Sequence, residues 1–287
     1  MMAILLDGRV VAAAMRDELK AEIAAFAQAH GYPPALACVM VGEDPASKVY
    51  VKRIATTCRE TGIQMQQVTL HSGTTAEELR AYIRSLNAER RIAGIIVQMP
   101  LPKHLPTALV AEVLSPAKDV DGICPVNAGL LMLGEPCFAP STPLGGLELL
   151  KRYAIPLRGA RAVVVGRSPV VGKPMANLLL NEHATVTICH SRTVDLPSVT
   201  RQADVLIAAI GKAKMISGEM IKPGAAVVDF GINPTDTGVV GDVDFESAQS
   251  VAGWITPVPG GTGPMTNVTL MRNTLTAARR QAGETAC

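Results

Sequence analysis

The chain has 287 residues, of which 48% are hydrophobic and 18% charged, and its formal net charge is +2. This length predicts two domains of ordinary size, and a charge so close to balance argues against a nucleic-acid partner. Aromatic residues make up only 3% of the chain, so the core must be aliphatic, which suits parallel sheets that are buried on both faces.

The sequence carries no signal for a membrane or a metal. No apolar run approaches the length of about eighteen residues that a membrane span needs, and the first ten residues lack the basic segment that opens a signal peptide. The six cysteines are scattered without a C-x-x-C pair. We therefore expect buried thiols in a cytoplasmic protein, with no disulfide, metal site or membrane partner.

Helices and strands alternate over the first 120 or so residues. The spacing of apolar residues, the cap signals and the apolar runs identify these elements. They are helices over Gly8–Ala29 and Ser47–Thr61, a helix opened by the capping box of Thr75 and Glu78, and strands over Ala35–Val41 and Gly94–Gln98.

A second series of apolar runs predicts a doubly wound parallel sheet, with ligands at the carboxyl ends of its strands. Its strands are Ala162–Val165, Thr185–Cys189, Val205–Ala209, Ala225–Asp229 and Trp254–Ile255. The Pro/Gly/Ser-rich stretch Cys137–Gly146 is the predicted domain boundary, and Thr256–Thr266 is a second break. A last helix over Asn267–Ala282 should pack back on the first domain.

The segment Gly159–Pro174, GARAVVVGRSPVVGKP, predicts a strand that ends at Gly166 and a helix that begins after Gly172. Such a turn presents free backbone N–H groups where the helix dipole favours an anion, usually a phosphate. Arg167 and Ser168 lie in this turn, and an arginine there suits a phosphate. The spacing differs from G-x-G-x-x-G, so spacing alone leaves dinucleotide binding and a plain turn equally open.

Ser191 and Arg192 follow the strand Thr185–Cys189. In a Rossmann-like domain the end of the second strand contacts the adenosine ribose, where an acid favours NAD and a serine with an arginine favours the 2′-phosphate of NADP. The pair therefore predicts NADP, and a solvated loop is the alternative.

Three polar residues of the first half are candidate site residues. Gln98 ends an apolar strand, where ligands bind in α/β proteins. Tyr50 lies on the second predicted helix, where a packing role is the alternative. Asp121 belongs to the sequence D-V-D-G, which also forms plain Asx turns.

Taken together, several segments resemble the bifunctional methylenetetrahydrofolate dehydrogenase/methenyltetrahydrofolate cyclohydrolase family. The match runs over essentially the whole chain, and the segments VQMPLP and TPVPGGTGPMT are highly specific to the family. The segments are SKVYV (Ser47–Val51), VQMPLP (Val97–Pro102), KDVDGI (Lys118–Ile123), GRSPVVGKPMA (Gly166–Ala176) and TPVPGGTGPMT (Thr256–Thr266).

The resemblance implies an α/β protein of two domains that forms a homodimer. The N-terminal α/β catalytic domain, residues 1–140 with 265–287, would bind folate. A Rossmann-like doubly wound parallel sheet, residues 141–264, would bind NADP. In the family, a cleft between the domains holds the folate against the nicotinamide.

The resemblance also assigns roles to individual residues. The implied catalytic residues are Tyr50, Gln98 and Asp121. Tyr50 and Asp121 would also bind the pterin, together with a loop containing Pro259, Gly260, Gly261 and Pro264. The residues implied on the NADP side are Gly166, Arg167, Ser168, Ser191, Arg192 and Ile232.

The chain departs from the family pattern at a residue that the family treats as catalytic. The family has Y-V-x-x-K on the second helix, and Ile54 stands here at the position of the lysine. Milder departures are Cys124, Ser141 and Thr262 in place of histidine, cysteine and valine.

The two family reactions depend differently on this lysine. Hydride transfer needs positioned substrates and moves no proton, whereas the hydrolytic step needs a general acid–base group, which isoleucine cannot supply. We therefore predict a dehydrogenase whose cyclohydrolase activity is weak or absent. The alternatives are a fully bifunctional enzyme with another group in place of the lysine, and a folate-binding pseudoenzyme.

Overall fold

The computed structural model describes residues 2–236 and 238–284. Its helices are α1 (Gly8–His30), α2 (Pro45–Thr61), α3 (Ala76–Ala88), α4 (Ala108–Val113), α5 (Pro125–Leu133), α6 (Ser141–Arg152), α7 (Gly172–Asn181), α8 (Leu196–Thr200), α9 (Phe245–Ala248) and α10 (Thr262–Gln281). Its strands are β1 (Ile4–Leu5), β2 (Ala35–Val41), β3 (Gln64–Leu70), β4 (Gly94–Val97), β5 (Arg161–Val165), β6 (Thr185–Cys189), β7 (Val205–Ala208), β8 (Ala226–Asp229), β9 (Asn233–Thr235), β10 (Gly238–Val240) and β11 (Trp254–Ile255).

The chain forms two compact units, which we name after their sheets. The three-stranded unit comprises Ala14–Ser141 and the segment from Asn267 onward. The six-stranded unit comprises the N-terminal segment through Ala13 and Thr142–Thr266. The α/β class and the parallel sheet predicted from the sequence are confirmed.

The three-stranded unit is built on a parallel sheet in the order β3-β2-β4. Strand β2 is buried along its whole length, as the sequence predicts. One face of the sheet packs on α3, whose buried residues are Leu79, Ile83 and Leu86. The capping box of Thr75 and Glu78 is present at the start of α3, and Gly62 ends α2 in a left-handed conformation at φ 91°.

Strand β3 was not predicted from the sequence. Its sequence, QMQQVTL, is largely polar, and most of its side chains are exposed or partly buried because it lies at the edge of the sheet. A polar edge strand lacks the apolar run by which buried strands are identified.

The six-stranded unit contains a sheet in the order β1-β11-β8-β7-β5-β6, in which every pairing is parallel. Strand β1 pairs with β11, with Ile4 opposite Trp254. The first thirteen residues therefore pack in this unit, whereas the sequence predicts them in the domain of residues 1–140. Strands β9 and β10 form a separate antiparallel pair.

Two stretches predicted as Pro/Gly breaks contain the starts of helices. Helix α6 begins at Ser141, inside the predicted boundary Cys137–Gly146, and α10 begins at Thr262, five residues before the predicted start. The chain nevertheless divides between units at Ser141 and Thr142. The C-terminal part of α10 packs in the three-stranded unit, where Asn273 Nδ2 donates to the carbonyl oxygen of Val120 at 2.8 Å.

Among the described helices, none combines the length and the apolar character needed to cross a membrane.

Candidate functional site

Gln98 lies one residue beyond the end of β4, so the predicted strand Gly94–Gln98 is one residue too long. Its backbone N–H donates to the carbonyl oxygen of Val39 at 2.8 Å, which continues the pairing of β4 with β2. The side chain is 7% exposed, and its Nε2 lies 3.6 Å from Cys38 Sγ. Gln98 is thus a buried amide at the carboxyl edge of the sheet.

The turn that carries Asp121 is organised by Asp119. The fully buried Asp119 carboxylate accepts hydrogen bonds from the backbone N–H of Ile123 at 3.0 Å and of Cys124 at 2.8 Å. Asn127 Nδ2 donates to the same carboxylate at 2.8 Å. In D-V-D-G, the aspartate that forms the Asx turn is therefore Asp119. The Asp121 side chain takes no part in these turn hydrogen bonds.

The turn is also fixed against β4. The backbone N–H of Ile95 donates to the carbonyl oxygen of Lys118 at 2.8 Å. A Cβ at Gly94 would lie 2.6 Å from Val120 Cγ1, so β4 approaches the turn at a residue without a side chain. The buried Lys118 Nζ donates to the Leu86 carbonyl oxygen at 3.1 Å, near the end of α3. These contacts hold the turn beside the strand that leads to Gln98.

Asp121 is a partly buried carboxylate with a perturbed pKa. Burial raises the pKa of its carboxyl from 3.8 to about 6; the hydrogen bond from the Ser141 backbone N–H opposes this rise and the nearby Asp119 charge adds to it. The backbone N–H of Ser141, where α6 begins, lies 3.4 Å from Asp121 Oδ1. Asp121 is therefore a carboxylate that changes charge close to neutral pH.

Tyr50 lies close enough to Asp121 for the charge of that carboxylate to affect its pKa. Burial raises the pKa of the Tyr50 hydroxyl, and the charges of Asp121 and Cys38 raise it further. Burial likewise raises the pKa of Cys58 to about 12, and Cys38 again contributes. Tyr50 and Cys58 on α2 therefore both lie near Cys38 of β2.

Ile54 lies between Tyr50 and Cys58 on the same face of α2, because residues four apart are rotated by only about 40°. Its side chain is fully buried. Lys52 and Arg53, the adjacent cationic residues, are exposed. Residue 54 thus presents an apolar side chain that is directed into the unit.

In the six-stranded unit, the predicted phosphate turn depends on two glycines. Gly166 has a φ of 131°, and a Cβ there would collide with the backbone of Ala209. A Cβ at Gly172, the first residue of α7, would collide with the backbone of Gly166. Ser168 Oγ accepts from the backbone N–H groups of Val171 at 3.1 Å and Gly172 at 3.3 Å, so Ser168 caps the helix.

The predicted ribose-phosphate residues follow the neighbouring strand. Strands β5 and β6 pair in parallel, and the Gly166 N–H donates to the carbonyl oxygen of Cys189 at 2.9 Å. Ser191 and Arg192 lie in the exposed turn after β6, and Arg167 is exposed in the turn after β5. The carboxyl ends of adjacent strands therefore present two arginines and a serine.

Ile232 is a 68% exposed apolar side chain after β8. Both of its neighbours are held by buried carboxylates: the Gly231 N–H donates to Asp229 at 2.7 Å, and Asn233 Nδ2 donates to Asp242 at 2.9 Å. Burial raises the pKa of Asp229 to about 6, although backbone N–H donors oppose the rise.

Asp242 also fixes the loop that follows β7. Its carboxylate accepts from the consecutive backbone N–H groups of Ile210, Gly211 and Lys212, the last two at 2.9 Å. Such a set of N–H groups is an anion-binding concavity, and Asp242 fills it. Sequence analysis missed this role.

The glycine-rich loop after β11 is tied to the N-terminal segment. Arg9 Nη2 donates to the Pro259 carbonyl oxygen at 2.9 Å, and the Gly8 N–H donates to that of Gly260 at 3.0 Å. A Cβ at Gly8 would collide with the backbone of Gly261. Pro264 lies in the first turn of α10.

The structure thus groups the predicted site residues by unit. Tyr50, Gln98 and Asp121 lie close to one another in the three-stranded unit. The predicted cofactor and loop residues lie at the carboxyl edge of the six-stranded sheet. Sequence analysis missed Cys38 and Asp119: a cysteine inside an apolar strand has no polar signal, and D-V-D-G does not show which aspartate forms the turn.

Comparisons with known proteins identify the class. The family model for the catalytic domain of tetrahydrofolate dehydrogenase/cyclohydrolase matches residues 6–121, and that for its NAD(P)-binding domain matches residues 140–282. The chain therefore belongs to the tetrahydrofolate dehydrogenase/cyclohydrolase family, and the resemblance found in the sequence is confirmed.

Individual relatives are similar over nearly their whole length. The bifunctional protein FolD of Roseiflexus sp. (strain RS-1) is 55% identical over 98% of both chains, and that of Moorella thermoacetica is 52% identical over 98% of this chain and all of the relative. The bifunctional FolD structure from Campylobacter jejuni superposes with a TM-score of 0.95, at 45% identity over 97% of this chain and 99% of that chain. The Trypanosoma brucei FolD structure, complexed with NADP and an inhibitor, superposes with a TM-score of 0.93. It is 37% identical over 98% of this chain and 99% of that chain.

The raised pKa of Asp121 predicts a pH-dependent effect of Asp121→Asn. Between about pH 4 and 6, the unfolded state has lost a proton that the folded state keeps, so the wild-type free energy of unfolding falls as pH rises. Asparagine lacks this penalty. Asp121→Asn should therefore gain stability relative to wild type across this window, by up to about 3 kcal/mol, and the difference should level off above it.

Urea unfolding at a series of pH values measures this difference. The matched control is Glu77→Gln, which removes an exposed carboxylate of the same unit. A stability difference between Asp121→Asn and wild type that is constant with pH would show that the folded protein does not raise this pKa.

Proposed function

We propose that the protein oxidises 5,10-methylenetetrahydrofolate to 5,10-methenyltetrahydrofolate, with NADP as the hydride acceptor. The proposal rests on membership of the family and on the cluster of Tyr50, Gln98 and Asp121 in the three-stranded unit, which would bind the folate. The six-stranded unit would bind NADP. The cytoplasmic location, the homodimer and the lack of nucleic-acid or membrane partners stay predictions.

The hydride step moves no proton, so the side chains of the folate site contribute by positioning and electrostatics. The Asp121 carboxylate can accept paired hydrogen bonds from the pterin amide and amino groups. Tyr50, partly buried beside it, offers an aromatic face on which the pterin can stack. The loop from Pro259 to Pro264, in the six-stranded unit, would line the nicotinamide.

The turn after β5 fits a dinucleotide phosphate. Gly166 and Gly172 allow close approach of the backbone, and Arg167 is exposed in the turn. Ser168 contributes by capping α7, and Ile232 supplies an exposed apolar surface after β8. NADP supplies a nicotinamide that takes up the hydride.

The relatives favour a second activity. FolD proteins that are about half identical over nearly the whole chain are named bifunctional. They support the fully bifunctional alternative better than our prediction of weak or absent cyclohydrolase. We therefore propose that the protein also hydrolyses 5,10-methenyltetrahydrofolate to 10-formyltetrahydrofolate, with a group other than residue 54 carrying the proton.

The dehydrogenase proposal predicts NADPH formation from methylenetetrahydrofolate and NADP, and a defect in Asp121→Ala. Removing a charged hydrogen-bond acceptor should lower kcat/KM for folate by about 10- to 100-fold, while the KM for NADP stays near wild type. The absorbance of NADPH measures both.

The exposed Glu77 provides the control variant, Glu77→Ala. If Asp121→Ala unfolds or loses NADP binding, Asp121 is a structural residue. If wild-type protein binds both ligands and forms no NADPH, the folate-binding pseudoenzyme is the correct alternative.

NADP should be preferred to NAD because no acid stands among residues 190–194, which directly follow β6, and Arg167 is exposed beside them. Charge-assisted contacts to a phosphate predict a preference of about tenfold or more. Arg167→Ala should remove most of that preference by lowering kcat/KM for NADP alone. The control is Arg158→Ala, which removes an exposed arginine before β5. Equal efficiency with both cofactors in wild type would contradict the NADP assignment.

The bifunctional proposal predicts hydrolysis of methenyltetrahydrofolate above the spontaneous rate in wild type. If no other group carries the proton, Ile54→Lys should raise this rate by about tenfold or more, since a positioned acid–base group contributes about 10²- to 10⁴-fold. A buried lysine there would also have a lowered pKa, which suits proton transfer. Loss of the near-ultraviolet band of the substrate measures the rate.

Ile54→Met is the matched control, because it supplies a long side chain without the amine. Hydrolysis by wild type at only the spontaneous rate would restore the prediction of a dehydrogenase alone. Robust wild-type hydrolysis that Ile54→Lys does not raise would support a proton carrier other than residue 54.

A further inference from the structure

Gln98 is held on the central strand β2 by two consecutive residues. Its backbone N–H donates to the Val39 carbonyl oxygen at 2.8 Å, and its side-chain Nε2 donates to Cys38 Sγ at 3.6 Å. Sulfur is a weak acceptor, but this one is fully buried and the amide is 7% exposed. Little water can therefore compete with the thiol for the amide N–H.

The amide group is planar, so fixing its nitrogen also fixes its oxygen. With Nε2 directed at Cys38, Oε1 must point away from the thiol. Among the residues that the structure describes, Oε1 receives no hydrogen bond, and it is not one of the unpaired oxygens sealed from solvent. The oxygen is therefore accessible to a bound substrate or water.

The surroundings of Cys38 offer little else to hold the amide. Cys38 lies near Tyr50 and Cys58, whose pKa values its charge raises, and these residues flank Ile54 on one face of α2. Ile54 is fully buried and has no polar atom in its side chain. The Cys38 thiol is therefore the acceptor that holds the amide nitrogen.

We propose that Cys38 is a positioning residue for Gln98, holding the amide so that its carbonyl oxygen faces the one-carbon unit of the folate. This inference rests on the proposed dehydrogenase function. Hydride loss leaves a cation spread over the methenyl carbon and its two nitrogens. A carbonyl oxygen aimed at that cation stabilises the transition state, whereas a flipped amide would present its positive N–H end.

The orientation should affect turnover more than binding. Cys38→Val keeps the size of a strand residue and removes the acceptor, so kcat of the dehydrogenase should fall by about three- to tenfold, as expected for one modest hydrogen bond. The KM for NADP should be unchanged. Cys38→Ser restores an acceptor and should recover most of the lost kcat.

A double-mutant cycle separates positioning from packing. In a Gln98→Ala background, Cys38→Val should cost less than about twofold, because Cys38 then has no amide to orient. If valine at position 38 disturbs the fold, Cys38→Ala repeats the test with a smaller side chain. Its matched control is Cys58→Ala, which removes the same atoms from a buried cysteine whose Sγ contacts Met271.

The outcomes are distinguishable. An equal loss from Cys38→Val with and without Gln98 would show that Cys38 acts through packing, and would overturn the inference. So would a Cys38→Val enzyme as active as wild type. Absence of NADPH formation by the wild-type protein would instead overturn the proposed function, and the inference would fall with it.

Discussion

Parallel strand pairing is the constraint on which the candidate sites depend. In the sheets β3-β2-β4 and β1-β11-β8-β7-β5-β6, every pairing is parallel, so the carboxyl ends of the strands meet at one edge of each sheet. Gln98 follows β4, the Gly166 turn follows β5 and Ile232 follows β8. Within each sheet, residues far apart in sequence converge because the backbone hydrogen bonds fix the register of the strands.

Much of the fold could be predicted from the sequence because buried parallel strands are continuous apolar runs, as at Ala35–Val41. The errors have physical reasons. Strand β3 is polar because it lies at a sheet edge. Helices α6 and α10 carry prolines, Pro143 and Pro264, in their first turns. The N–H groups of a first turn need no partner within the helix, so proline is tolerated there, and a stretch that resembles a break can start a helix.

The candidate site was predictable only in part. Gln98 could be found because a polar residue ends an apolar strand, and Asp121 through the motif that contains it. The contacts that orient these groups could not. In the sequence, Cys38 cannot be told from a cysteine that only packs in the core. Asp119 forms the turn through hydrogen bonds with residues that approach it only in the folded protein.

The carboxylate of Asp242 has a consequence for where a ligand can lie. It fills the concavity formed by the N–H groups of residues 210–212, which would otherwise attract a phosphate. A dinucleotide phosphate therefore cannot use these N–H groups, because the buried Asp242 carboxylate already accepts from them. At the turn after β5 it would meet Arg167. The fold thus closes one anion-binding concavity with its own carboxylate and leaves an exposed arginine at the other turn.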